Sequence, residues 1–532
     1  MTRVLGIEGT AWAASAAVFD PGTGIVRIES DAYQPDGGGI PPREAAEHRH
    51  DAIPRVVETV LEETAEPIDA VAFSRGPGLG PCLRTVGTAA RTLAGTLDVP
   101  LVGVNHMVAH LEIGRQRSGF SAPVCLNASG ANAHLLALRG GRYRVLGETM
   151  DTGVGNAIDK FARSVGWEHP GGPKVEAAAR EGAYVELPYV VKGMDFSFAG
   201  ITSAAQDAVE DGVPVADICR GLEETIFAML TEVTERALSL TGRDELVLGG
   251  GVGQNARLQG MLEAMCETRN ASFFAPEDRL LRDNAGMIAA LGARMYEAGD
   301  TVPIEASAVR PDFRPDEVPV TWRAAPPTAR PPGDRNDPGA GTEIRGAEAV
   351  VDVGDPVEKR RREKGYRHPD LDTRLRRERT RAEARLTSLA RRHGVPTPVL
   401  RDVDPGAARL VLEHVGEADL GDALTEPRVR RVGEHLATIH DAEFVHGDPT
   451  VGNARVDPDT GRVFLIDFGL GYHTDDVEDY AMDLHVFEGS VVGTSDDADA
   501  LCRAFEAGYR ETGSPEVLDR LREIEARGRY QD

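Results

Sequence analysis

Two rhythms of hydrophobic and polar positions divide this chain. In the first part, short unbroken apolar runs at 4–7, 70–73, 101–104, 123–126 and 245–248 are separated by longer stretches with helical spacing. Runs of that length mark strands covered on both faces, and their alternation with helices predicts an α/β fold. From 322 to 342 the rhythm stops: the segment is rich in Pro and Gly, has no apolar period, and predicts a linker. Beyond it come an Arg- and Glu-rich helix at 369–392, a second helix at 428–440 and a buried strand at 463–466 leading into Asp467. A chain of 532 residues also exceeds the roughly 250–300 that one core can hold. We therefore divide it into a unit at 1–321, the linker at 322–342 and a smaller unit at 343–532.

The formal charge of -27, from 59 basic and 86 acidic residues, would by itself argue against a nucleic-acid partner. Lysine usage changes that reading. Only Lys160, Lys174, Lys192, Lys359 and Lys364 occur, so nearly every basic residue is Arg. An acid-rich, lysine-poor surface suits concentrated salt, as in a halophilic archaeon, where the Debye length shrinks to about 3 Å near 1 M. Net charge then reports the solvent rather than the partner. The five lysines are either kept for chemistry or chance survivors at the surface. Cys82, Cys125, Cys219, Cys266 and Cys502 show no paired spacing, no run of 18 apolar residues occurs, and the opening residues read as a strand. A cytoplasmic protein without a membrane partner is expected.

His106 and His110 stand four apart in a helical stretch, so both imidazoles leave one face and can share a metal; a structural helix face is the alternative. Met107, Val108 and Ala109 lie between them, without the Glu base of a zincin helix, which argues against protease chemistry. Three glycine turns each follow a predicted strand: Gly6-Ile7-Glu8-Gly9-Thr10, Asn127-Ala128-Ser129-Gly130-Ala131-Asn132 and Gly249-Gly250-Gly251-Val252-Gly253-Gln254-Asn255. Glycine lets backbone N–H groups approach an anion, and a helix after the turn adds its positive end.

In this order the turns resemble the phosphate-1, phosphate-2 and adenosine segments of the actin, sugar-kinase and Hsp70 ATPase superfamily, a duplicated ribonuclease H-like fold. With the His pair and residues 155–163, 170–176, 194–201 and 283–287, the stretch 3–320 resembles the tRNA threonylcarbamoyladenosine transferases in their archaeal form. The resemblance implies transfer of the threonylcarbamoyl group of threonylcarbamoyl-AMP to N6 of adenosine 37 in tRNAs that read ANN codons. It implies that His106, His110 and Asp283 hold iron or a similar divalent metal. Asn127, Ala128, Ser129, Gly130, Ala131, Asp159, Gly172, Glu176 and Asn255 would contact threonylcarbamoyl-AMP. The family usually has Tyr where this chain has Asn127, so the fourth metal contact becomes an amide oxygen or water. Implied partners are tRNA, a separate enzyme that makes threonylcarbamoyl-AMP, and small accessory subunits.

In the smaller unit, His446-Gly447-Asp448 with Asn453 keeps the Asp-to-Asn spacing of a kinase catalytic loop, and Asp467-Phe468-Gly469 follows an apolar strand. In that register Asp448 accepts a hydroxyl proton, Asn453 and Asp467 bind Mg, and Lys359 pairs with Glu383. Other kinase parts are missing: 346–351 is not a GxGxxG loop, and Gly447 replaces the usual Arg. Together with Lys364-Gly365-Tyr366-Arg367 and Asp483-Leu484-His485, residues 343–532 resemble the small atypical kinase of the KEOPS complex, a minimal α+β protein-kinase-like fold. That resemblance implies a Ser/Thr kinase or ATPase supporting the transferase within a KEOPS complex, with ATP held by Gly346, Ala347, Glu348, Ala349 and Lys359. The tail 527–532 is basic and aromatic and is expected either to touch tRNA phosphate or to be an idle terminus. The two units are expected to dock. The whole reads as a bifunctional tRNA-modification enzyme; the alternative is a signalling kinase with a nucleotide-sensing regulatory domain.

Overall fold

The computed structural model describes residues 2–22, 24–33, 40–64, 66–324, 343–495 and 497–527. The proposed linker, apart from 322–324, and the tail beyond Arg527 lie outside the described residues.

The larger unit is built on two five-stranded sheets of one topology. In the first, Val4–Glu8, Ala13–Asp20 and Ile25–Ala32 form an antiparallel meander, and Ala70–Gly76 and Leu101–Asn105 extend it in parallel beyond Val4–Glu8. In the second, Val124–Ala128, Ala133–Arg139 and Arg142–Glu148 repeat the meander, and Glu245–Gly249 and Ser272–Phe274 repeat the parallel pair. All of the apolar runs but 101–104, which is the edge strand of the first sheet, become inner strands: every residue of Val4–Glu8 and Val124–Ala128 is buried, as continuous hydrophobic strands between two helical layers must be.

This duplication corrects one expectation. The first two glycine turns lead into hairpin strands, Ala13–Asp20 and Ala133–Arg139, not into helices. Each repeat opens with a meander, and antiparallel neighbours need only a tight turn between them. The third turn alone continues through the short 3-10 segment Gly251–Gln254 into the helix Ala256–Arg269.

The helix Ala285–Glu297 follows the second sheet in sequence yet packs on the first. A Cβ on Gly6 would meet the Ala285 carbonyl oxygen at 2.5 Å and the Ala289 nitrogen at 2.6 Å, so glycine is what admits this helix.

In the smaller unit an antiparallel sheet runs in the order Glu343–Arg345, Ala349–Asp352, Val357–Arg361, Arg409–Leu412 and Leu400–Asp404. The helix Pro369–Arg392 packs beside it. Helices Glu426–Asp441, Val477–Thr494, Ala498–Tyr509 and Pro515–Arg527 complete the unit. Leu436, Phe444, Phe468, Leu484, Phe487 and Phe505 share its core.

The two units meet along the helix Val215–Thr241, which is buried over most of its length despite Glu232, Glu235 and Arg236. Charged side chains go inside only when paired, and the partners come mainly from the smaller unit. Arg379 reaches both Glu232 oxygens at 3.0 and 3.1 Å, and Arg367 joins them. The Lys364 ammonium meets both Glu235 oxygens at 2.7 Å. Elsewhere on this face Tyr184 stacks on His368 with ring centroids 4.2 Å apart, Lys192 pairs with Asp479, and the Gly193 N–H donates to the Gly447 carbonyl at 2.8 Å.

Candidate functional site

The Asn105 side chain accepts the Val108 N–H at 3.0 Å, capping the helix His106–Ser118 directly at the end of the strand Leu101–Asn105. That cap sets His106 and His110 in the opening turns of the helix, facing the second lobe. Asp283 arrives from the other side, one residue ahead of Asn284, whose side chain caps Ala285–Glu297. The Nε2 atoms of His106 and His110 lie 3.3 and 3.2 Å from the same Asp283 oxygen. One ligand atom from each residue falls within 4.8 Å of the others.

Behind His106 stands Glu8, fully buried, with one carboxylate oxygen 3.1 Å from Nδ1 and the other accepting the Thr10 N–H at 2.7 Å. A carboxylate behind a ligating imidazole fixes its tautomer and its aim. Sequence reasoning saw Glu8 only as part of a glycine turn; its one signal was an acid inside an apolar strand. Arg49, also fully buried, donates to the Gly9 and Ala45 carbonyls at 2.9 and 2.6 Å and to that of Ala11, holding the turn after Glu8 in place.

The cluster demands positive charge. Burial opposes charging of His106, but Glu8 and Asp283 override it and raise the imidazole to about 10. Burial pushes His110 down, and Asp283 is held far below the carboxylate range by the two imidazoles against the opposing effect of its burial. Two polar atoms beside this cluster, His110 Nδ1 and Asn127 Oδ1, are buried without a hydrogen-bond partner. Gly250, at φ 86°, leaves the space the Asn127 oxygen needs: a Cβ there would lie 2.8 Å from it. Two imidazole nitrogens, a carboxylate and an adjacent amide oxygen fit a first-row divalent ion such as iron.

The other proposed ligand contacts form a connected patch. Asp159 accepts the Gly171 N–H at 2.7 Å, next to Gly172, which opens the helix Gly172–Ala179 carrying Glu176. Glu176 in turn accepts the Ala256 N–H at 3.3 Å, beside Asn255. Asn255 is already occupied: its oxygen caps Ala256–Arg269 and its amide donates to Glu223 at 2.6 Å. Burial raises Glu223 to about 7, with the Asn255 bond opposing. Gly130, in the loop 127–131, accepts the Asn156 N–H at 2.8 Å, and an added Cβ on Gly153 or Gly155 would strike that loop.

In the smaller unit the Lys359 ammonium lies 2.8 Å from Glu383 and 2.8 Å from Asp467. Asn453 donates to the Asp448 carboxylate at 3.0 Å, and Asp483 accepts the N–H groups of His446 and Gly447 at 2.7 and 2.8 Å, fixing the loop. Burial raises Asp448 to about 7 against the pull of Arg236. Gly346 and Ala349 close a turn through a 2.9 Å backbone bond. Within that turn, Ala347 accepts from Lys364, and the Glu348 carboxylate is spent on Arg379 at 2.8 Å and Arg367 at 3.4 Å.

A family model described as TsaD, tRNA N6-adenosine threonylcarbamoyltransferase, matches residues 24–290. The chain belongs to that transferase family. A relative in Halobacterium salinarum, named "Probable bifunctional tRNA threonylcarbamoyladenosine biosynthesis protein", is 70% identical over 100% of this chain and 99% of its own. Proteins of the same name in Natronomonas pharaonis and Methanospirillum hungatei are 69% and 51% identical, covering 100% and 99% of this chain and 100% and 99% of their own. The transferase match thus includes the His pair and Asp283, while these full-length relatives extend across the smaller unit as well. The chain is a transferase of tRNA modification. Among the described residues no helix is long and apolar enough to cross a membrane.

Proposed function

We propose that the larger unit transfers the threonylcarbamoyl group of threonylcarbamoyl-AMP to N6 of adenosine 37 in tRNAs reading ANN codons. In this reading the smaller unit is a kinase-like ATPase or Ser/Thr kinase that supports it within a KEOPS complex. The observation that carries the reading is the convergence of His106 and His110 on Asp283, with Glu8 behind and the nucleotide patch alongside.

His106, His110 and Asp283 would hold the divalent metal, with Asn127 as a further oxygen donor. When bound, such an ion supplies Lewis acidity to the acyl group. Glu8 holds the His106 Nδ1 proton and so keeps Nε2 turned to the cluster. The backbone of Asn127, Ala128, Ser129, Gly130 and Ala131 lies against the acyl phosphate, and Asp159, Gly172, Glu176 and Asn255 receive the nucleoside. The acceptor N6 forms its bond to the carbamoyl carbon as the carbamoyl bond to the AMP phosphate breaks; AMP departs, and the proton that N6 gives up goes to the AMP phosphate or to water. In the smaller unit Gly346, Ala347, Glu348 and Ala349 cover ATP, Lys359 and Glu383 set the phosphates, Asn453 and Asp467 hold Mg, and Asp448 takes a proton from the attacking hydroxyl or water.

The test supplies the full chain with unmodified tRNA, threonylcarbamoyl-AMP, accessory subunits and ATP in molar KCl, and reads tRNA nucleosides by mass spectrometry. We expect threonylcarbamoyladenosine from the wild type, none from His106→Ala, and less from Asp448→Asn. A folded wild type that makes no product refutes the transferase assignment.

A further inference from the structure

Arg361 sits at the centre of the C-terminal site without a part in the roles above. It lies two residues after Lys359 in the strand Val357–Arg361, so both side chains leave the same face. The guanidinium is 3% exposed. Its Nη2 is 2.6 Å from the Glu383 oxygen that Lys359 leaves open and 3.5 Å from the Asp467 oxygen that Lys359 also contacts. Its Nε is buried with no partner. A Cβ on Gly469 would come within 2.1 Å of Nη2, so the glycine after Phe468 is what gives the guanidinium room.

We propose that Arg361 is a second cation of the nucleotide site, a positioning residue that keeps Glu383 in place and balances phosphate charge when Lys359 also contacts a magnesium-bound nucleoside triphosphate. The inference rests on the nucleoside-triphosphate reading of the smaller unit. Lys359 and Arg361 neutralise Glu383 and Asp467, whereas Lys359 alone would leave a buried site one charge negative before any ligand arrived. Magnesium triphosphate adds a net charge of about -2, which a negative interior would repel. The planar fork of Arg361 holds the second Glu383 oxygen, so the acid stays fixed when the flexible Lys359 adds phosphate contacts, a division of labour that suits the two side chains.

The test titrates magnesium and mant-ATP into the full-length protein in molar KCl, for wild type, Arg361→Met, Arg361→Lys, Lys359→Met and the Lys359→Met/Arg361→Met pair, with thermal unfolding alongside. We expect Arg361→Met to weaken binding at least ~10-fold and Arg361→Lys to recover part of it. On the Lys359→Met background the Arg361→Met loss should shrink below ~3-fold, because the two cations act together. If Arg361→Met does not fold, Arg361→Lys carries the test through its intermediate loss. Binding within twofold of wild type for the folded Arg361 variants, or a full loss repeated on the Lys359→Met background, overturns the inference. A wild type that binds no mant-ATP removes the nucleotide reading itself, a distinct outcome.

Discussion

Asp283 and Glu232 are both carboxylates at a junction, the first between the duplicated lobes and the second between the two units. Around Glu232 the charges close: Arg236, Arg367, Arg379 and the Tyr189 hydroxyl satisfy both oxygens, and the side chain is fully buried. Around Asp283 they do not. The imidazoles of His106 and His110 crowd one oxygen, His110 Nδ1 and Asn127 Oδ1 lack partners, and the Asp283 side chain remains 22% exposed. Carboxylates at two junctions thus give a fastener where both oxygens are matched, with only Arg367 Nε left over, and a ligand site where a ring nitrogen and an amide oxygen, both electron-pair donors to a metal, are left over. Saturation of the carboxylate, together with its partial exposure, separates the two.

The sharpest way to break this contrast is to empty the open cluster. His106→Ala with His110→Ala should reduce metal content, read by elemental analysis, to background and cut product at least ~1000-fold, a loss of ~4 kcal/mol of transition-state stabilisation. Retained metal would show that the cluster is another fastener. At the closed cluster, Glu232→Ala removes the acid shared by three buried guanidiniums and should cost ~3–5 kcal/mol, seen as a lower unfolding temperature and easier proteolytic release of the smaller unit, with metal content unchanged.

Asp195 tests the middle ground. It accepts the Glu148 N–H at 2.8 Å but has only a distant His485 at 3.9 Å, and burial lifts it to about 6 against that histidine, with Glu148 and His134 nearby. Its folded value lies above the unfolded 3.8, so its stabilising contribution is full below about pH 4 and is lost as pH rises through about 6. Asp195→Asn should therefore add nothing at pH 4 and up to ~3 kcal/mol at pH 7, measured as a difference in chemical denaturation. An equal gain at both pH values would contradict it. The smallest effect is expected behind the metal ligands, where Glu8→Gln should weaken metal binding ~10–100-fold without unfolding the lobe, read by competition with a chelating dye.

Much of this was legible in the chain before its structure. Four of the five apolar runs are inner strands and the fifth, 101–104, is the edge strand of the first sheet, and the proline-initiated helix Pro369–Arg392 has the bounds that its pattern gives. The His pair stood out because its spacing is local. What pairing over long range decides stayed hidden: Glu8 meets His106 from 98 residues away, and Glu232 meets Arg379 from 147 away. Glutamates on a helix read as solvated until their partners are known. The lysines divide along the same line, for Lys192, Lys359 and Lys364 are in ion pairs at the junction or the C-terminal site, whereas Lys160 and Lys174 are exposed.

The helix Ala285–Glu297, admitted by Gly6, bears on how the polypeptide is born. The face of the first sheet that this helix covers stays open until residues near 297 have left the ribosome. At about 5–20 residues per second, a sheet complete at Asn105 waits roughly 10–40 s for the helix that covers this face. A nascent chain of this design needs either a holding chaperone or slow collapse in brine, and truncated transcripts ending before that helix should yield aggregates rather than half-enzymes.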